Sequence, residues 1–127
     1  MTRTVLSSAA APAAGPYSPG RVIGEWVFLA GQIGTGKTIE EQTDSALGKV
    51  SALLGESGCT LADVVSCLVH LTDLSLFQRY NLVYERLFPE PRPVRTTVGA
   101  ALLGDAMVEV TVIAHRNNLP RITLPDC

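Results

Sequence analysis

The chain has 127 residues, of which 46% are apolar and 17% are charged, and its formal net charge is −2. This length predicts a single domain over residues 1–127 with one hydrophobic core. The near-neutral charge, without a Lys/Arg cluster in the sequence, argues against a nuclease or an RNA-binding protein. No apolar run reaches the roughly 20 residues of a membrane span, which argues against a membrane protein.

Sequence patterns predict the element order β-β-β-α-β-α-β-β. Runs rich in β-branched and aromatic residues and bounded by Gly or Pro indicate strands, and apolar residues at helical spacing indicate helices. The first helix is predicted to begin at Thr38, which forms a capping box with Glu41, and to end at the glycine pair of residues 55–58. The second helix is predicted over residues 75–88. The strands are predicted at residues 4–6, 21–23, 26–30, 64–71, 94–98 and 107–115.

These elements predict an α+β fold of two layers, in which two helices pack on one mixed sheet. One face of that sheet then has no helix to cover it. Because an apolar sheet face is unstable in water, we expect other copies of the chain to bury it.

One segment imitates a nucleotide-binding loop. Residues 31–38 match the phosphate-loop pattern G-x-x-x-x-G-K-[ST] in full, and they lie between a predicted strand and a predicted helix. However, the preceding strand is predicted to belong to a hairpin, and the chain lacks the further β-α units of a doubly wound nucleotide fold. We therefore interpret the segment as a glycine turn followed by a helix cap. The nucleotide-binding alternative predicts magnesium-dependent ATP binding that Lys37→Ala abolishes.

The cysteines and histidines do not predict a metal site. Cys59, Cys67 and Cys127 are odd in number and irregularly spaced, which is typical neither of zinc ligands nor of a disulfide framework and favours a reducing cytoplasm. His70 and His115 are interpreted as structural, because neither has a second histidine or a carboxylate at a supporting spacing in the sequence.

Seven short motifs between residue 11 and about residue 116 resemble the Rid/YjgF family of small enamine/imine deaminases. The motifs are Gly15-Pro16-Tyr17-Ser18, Gly31-Gln32-Ile33, Glu41-Gln42-Thr43, Leu71-Thr72-Asp73, Tyr80-Asn81-x-x-Tyr84, Pro93-x-Arg95 and Val108-Glu109-Val110. The resemblance implies a chorismate-mutase-like fold with a mixed six-stranded sheet, two helices on one of its faces, and a homotrimer with a central barrel. It also implies ligand clefts between the subunits.

The resemblance implies a hydrolase that converts small 2-imino or enamine acids to 2-keto acids and ammonia, without metal or cofactor. Arg95 corresponds to the arginine that binds the substrate carboxylate, and Glu109 corresponds to the acidic residue that activates water. These two residues also stand on strand-like runs that follow one another, and a cation beside a proton-handling group suits a small acid. The implied substrate-binding residues, besides Arg95, are Tyr17, Gly31, Asn81 and Thr97.

The sequence departs from the family pattern at several points. Ala30 stands where the family often has Ser, Thr97 stands where it often has Cys, and two loops are shorter. These departures leave two alternatives open. One is a specialised member that cyclises or tautomerises a biosynthetic imine, and the other is a non-catalytic trimer that binds 2-keto acids.

Overall fold

A seven-stranded mixed sheet carries two helices on one face in the computed structural model of the chain, which describes residues 3–116. The strands are β1 (Arg3–Leu6), β2 (Gly20–Ile23), β3 (Trp26–Leu29), β4 (Gln32–Ile33), β5 (Val64–Leu71), β6 (Val94–Gly99) and β7 (Val108–His115); the helices are α1 (Ile39–Gly55) and α2 (Phe77–Leu87). The predicted α+β class, both helices and six strands are confirmed. The expected six-stranded sheet is wrong by one strand, because β4 has only two residues and no periodicity that a sequence pattern could reveal. Neither described helix has the length and hydropathy needed to cross a membrane.

The strand order is β1-β2-β3-β7-β5-β6, and β4 pairs with β7. All pairs are antiparallel except β5 with β6, which are parallel. Since parallel strands need a crossover connection, α2 carries the chain from β5 to β6, and β7 then pairs with the other side of β5. The strands of Arg95 and Glu109 are therefore consecutive in sequence but not neighbours in the sheet.

Alternation along the strands separates the buried face of the sheet from the open face. In β7 the even-numbered side chains, from Val108 to Ala114, are buried, and the odd-numbered ones, from Glu109 to His115, are partly exposed. The buried side chains pack against α1, whose own apolar stripe contributes Leu47, Val50 and other residues to the same core. The core therefore lies between the sheet and the helices.

The opposite face of the sheet has no helix over it within residues 3–116. Its large apolar side chains remain exposed, by 43% at Trp26, 42% at Phe28 and 39% at Leu68. The predicted uncovered apolar face is confirmed. A patch of this kind on a folded chain is typical of a surface that another molecule covers.

The segment resembling a phosphate loop has another structural role. Strand β3, which precedes it, is antiparallel to both of its neighbours, whereas a phosphate loop follows a parallel strand. Gly34 packs so closely on α1 that a Cβ there would collide with the backbone carbonyl of Gln42. Thr38 caps α1 by accepting a 3.1 Å hydrogen bond from the Glu41 amide. The predicted glycine turn and helix cap are confirmed.

Candidate functional site

Arg95 lies on edge strand β6 and points toward the helices. Its register partner on β5 is Cys67, a core residue that is 2% exposed, and paired residues share a face of the sheet. The guanidinium Nη1 donates a 2.8 Å hydrogen bond to Oδ1 of Asn81 on α2. The amide of Asn81 therefore fixes one side of the guanidinium.

Three aromatic rings of α2 surround the same guanidinium. Phe77, Tyr80 and Tyr84 recur at helical spacing and present their rings to β6. The Arg95 Cζ lies 4.5 Å from the ring centroid of Tyr84, 5.4 Å from that of Tyr80 and 5.5 Å from that of Phe77. These distances are within the range of cation–π attraction, so the rings hold the cation in place without neutralising it.

Thr97 follows Arg95 on the same face of β6. Its register partner is the buried Val69, and its Oγ1 lies 3.5 Å from the hydroxyl oxygen of Tyr80. Burial raises the pKa of Tyr80, and it raises the pKa of the nearby Cys67 thiol to about 11. Both groups are therefore neutral around the guanidinium at physiological pH.

An open cleft of about 510 Å³ gives access to Arg95. A second arginine at its rim, Arg92, is engaged by Glu90 at 3.0 Å and by the carbonyl oxygen of Glu85 at 3.2 Å. Arg95 has no carboxylate partner within residues 3–116. The cleft thus presents a guanidinium outside any ion pair of these residues, although Glu85 also lines it, and a planar guanidinium suits a carboxylate ligand. The lining residues are Asn81, Tyr84, Glu85, Arg92, Pro93 and Arg95.

Glu109 lies on β7 and points to the uncovered face of the sheet. Its register partner on β5 is His70, and His70 Nδ1 lies 3.7 Å from Glu109 Oε1. On its other side the carboxyl group approaches the backbone of Gly31, where a Cβ would be 2.7 Å from Glu109 Cδ and 2.9 Å from Thr111 Oγ1. Gly31 is therefore required for the position that Glu109 takes.

The structure overturns the premise used for His70 and agrees with the structural interpretation of His115. The expectation that no carboxylate supports His70 is overturned by Glu109, which becomes its neighbour only through the long-range pairing of β5 with β7. His115 packs edge-on against Trp26, with 4.7 Å between the ring centroids, which agrees with a structural role.

Tyr17 lies apart from the Arg95 cleft and from Glu109, in the loop before β2. Its side chain is 50% exposed, and its hydroxyl accepts a 3.1 Å hydrogen bond from the Ala14 amide. It borders a second open cleft, of about 350 Å³. The lining residues of this cleft are Tyr17, Ser18, Arg21, Phe28, Leu29 and Ala30.

The residues predicted to form one site fall into three places in a single chain. They are Arg95, Asn81 and Thr97 under α2, Glu109 and Gly31 on the uncovered face, and Tyr17 in the loop cleft. The expectation that Arg95 and Glu109 lie beside one another is wrong within one chain, since β5 separates their strands and they point to opposite faces. Within residues 3–116, no group of three or more His, Cys, Asp or Glu side chains is arranged to hold a metal ion.

Comparison with known proteins assigns the family. The sequence profile of the endoribonuclease L-PSP family matches residues 8–116. A RutC family protein of Saccharolobus solfataricus is 36% identical over 126 residues, covering 92% of this chain and 100% of that protein. The 2-iminobutanoate/2-iminopropanoate deaminase of Bos taurus is 31% identical over 134 residues, covering 98% of each chain. The crystal structure of E. coli TdcF with bound serine has a TM-score of 0.85 and 31% identity, covering 90% of this chain and 99% of that one. The chain therefore belongs to the Rid/YjgF family, whose profile is also described as endoribonuclease L-PSP.

Proposed function

We propose that the protein hydrolyses small 2-imino or enamine acids to 2-keto acids and ammonia, in clefts between the subunits of a homotrimer. The observation that carries this proposal is the Arg95 guanidinium, which Asn81 and three rings hold in an open cleft with no carboxylate partner among the residues that the structure describes. A carboxylate-bearing substrate supplies that partner through a bidentate contact. The activity named for the relative of Bos taurus has a substrate of this kind.

A second copy of the chain is needed because the proposed groups lie on opposite faces of one sheet. Arg95 is on an edge strand, and Glu109 is on an apolar face that would be exposed in a monomer. If a neighbouring copy packs on that face, burial of apolar surface and assembly of the site occur together. The resulting cleft would combine Arg95, Asn81 and Thr97 of one copy with Glu109, Gly31 and Tyr17 of the next.

In the proposed reaction Glu109 handles the protons. The carbon of an imine is electrophilic once the nitrogen is protonated. Water then adds to this carbon when a base accepts a proton from the water. The Glu109 carboxylate would accept this proton and return it to the nitrogen of the carbinolamine. As the C–N bond breaks and ammonia leaves, the carboxylate would take the hydroxyl proton, so that the carbonyl group forms, and would then release that proton to solvent or to ammonia. Positioning and proton transfer are sufficient for this chemistry, so the proposal includes neither metal nor cofactor.

A trapping competition tests the proposal. An amino-acid oxidase generates 2-imino acids in the presence of semicarbazide, and wild-type protein is compared with Arg95→Ala. Arg92→Ala is the matched control, because this arginine borders the same cleft but is already paired with Glu90. We expect wild type and Arg92→Ala to deplete the semicarbazone and Arg95→Ala to leave it unchanged. The proposal fails if Arg95→Ala remains fully active while keeping the oligomeric state of the wild type.

The same preparation distinguishes the alternatives. A non-catalytic trimer would bind 2-keto acids in calorimetry through Arg95 and show no turnover. A specialised member would be inactive on ordinary 2-imino acids and would convert another, biosynthetic imine instead. This alternative rests on Thr97, which lies on the same strand face as Arg95 at a position where the family often has Cys. We propose the reducing cytoplasm as the compartment, in keeping with the free and buried Cys59 and Cys67.

A further inference from the structure

The imidazole of His70 lies against the proposed proton-handling group. Its Nδ1 is shielded from solvent and has no hydrogen-bond partner within residues 3–116. Glu109 Oε1, at 3.7 Å, is just beyond hydrogen-bond distance. A buried polar nitrogen without a partner is costly, so a small rotation that brings the two atoms together is favourable.

Among the residues that the structure describes, Glu109 is the charged group beside this nitrogen. On β6 the register partner of His70 is Val98, and the next residues on the same face of β5 and β7 are Leu68 and Thr111, none of which is charged. On β4, Ile33 faces the same side as Glu109. The other histidine, His115, is at the far end of β7 and packs on Trp26.

The carboxyl group of Glu109 is thereby confined on two sides. The backbone of Gly31 contacts one side so closely that a Cβ would overlap it, and the His70 imidazole lies on the other. Both side chains remain about a quarter exposed, at 25% for His70 and 27% for Glu109, so the pair is accessible from the uncovered face. Contacts on two sides restrict the rotation of the Glu109 carboxyl group and so fix its orientation.

We propose that His70 is a positioning residue for Glu109, and this inference rests on the proposed function. The His70 Nδ1–H donates a hydrogen bond to Glu109 Oε1, which leaves Oε2 directed toward the attacking water. In unliganded proteins such contacts are often long and shorten when substrate binds. Since His70 acts through Glu109 and not through the carboxylate-binding Arg95, its loss lowers kcat and leaves KM nearly unchanged.

Kinetics of three variants test this role. His70→Phe keeps a flat ring of similar size without the donor, and His70→Gln keeps an N–H donor. We expect kcat of His70→Phe to fall about 10- to 100-fold, which is the effect of a misplaced catalytic group. We expect His70→Gln to recover part of that loss. His115→Phe, a histidine change on the same sheet face, is the matched control and keeps wild-type kcat. Equal kcat values for wild type and His70→Phe, or a loss confined to KM, would overturn the proposal.

A second readout needs no turnover. The ¹⁵N resonance of His70 Nδ1 reports whether this nitrogen carries a proton, and it is compared in wild type and Glu109→Gln at neutral pH. We expect a protonated Nδ1 in the wild type and a changed resonance in Glu109→Gln. An unprotonated Nδ1 in the wild type, or the same resonance in both proteins, refutes the hydrogen bond. Wild-type protein that is inactive on every 2-imino acid refutes the proposed function instead, and the resonance then decides the His70–Glu109 contact alone.

Discussion

Mixing two inactive variants should restore activity if Arg95 and Glu109 act from different copies. Arg95→Ala removes the cation on edge strand β6, and Glu109→Gln removes the carboxylate on the uncovered face. In a closed ring each cleft takes Arg95 from one copy and Glu109 from the next. With equal amounts of the two chains, a cleft has both native residues with probability one half times one half, so about one quarter of wild-type activity returns.

The assay is imine hydrolysis after both chains are co-expressed in equal amounts with different tags and all oligomers are kept together; capture of one tag with the other confirms that the chains mix. Mixing either single variant with wild type is the control for specific activity, and it leaves about half of the clefts intact whether one chain or two form each cleft. The double variant mixed with wild type provides a second measurement. It leaves about one quarter of the clefts intact if two copies form each one, and about one half if one copy does. Mixed single variants that remain inactive, in oligomers that exchange chains normally, would refute the reasoning.

Three further predictions follow from individual contacts. Gly31→Ala places a Cβ 2.7 Å from Glu109 Cδ, so the carboxyl group must move and we expect kcat to fall at least about tenfold; unchanged kinetics would contradict the close approach. Burial raises the pKa of Cys67 to about 11, so iodoacetamide at about pH 8 should modify this thiol only after unfolding, as peptide mass spectrometry would reveal; modification of the native protein would contradict its burial. The hydrogen bond from Arg79 lowers the pKa of Glu40 from 4.5 to about 2, so this pair stabilises the fold above about pH 4.5 and loses its contribution as the pH falls toward 2. The difference in Tm between wild type and Arg79→Ala should therefore shrink over that interval, and a constant difference would argue against the ion pair.

Local patterns were sufficient to predict most elements of the fold. The capping box at Thr38, the apolar stripe of α1 and the alternation along β7 each follow from a few residues close together in the chain. The uncovered sheet face also followed, because the two-layer arrangement places both helices on the same side of the sheet. Strand β4 escaped prediction because two residues contain no period.

The arrangement of the candidate site could not be predicted in the same way. Alternation along a strand shows which of its residues share a face of the sheet. It does not show which strands are neighbours, because the strand order depends on pairings between distant segments. The insertion of β5 between β6 and β7 separates Arg95 from Glu109 and brings His70 beside Glu109. Neither result is encoded in the spacing of these residues along the chain.

The rings over Arg95 determine when the conformational entropy of this side chain is lost. A free arginine side chain has about 2 kcal/mol of rotamer entropy, which is lost on immobilisation. Here Phe77 and Tyr84 restrict the guanidinium when α2 packs on β6, so the loss belongs to folding rather than to ligand association. Affinity for a carboxylate at Arg95 is therefore expected to depend on ring residues that need not contact the ligand. A ligand-binding assay of Phe77→Leu would detect this dependence as weaker binding at unchanged charge.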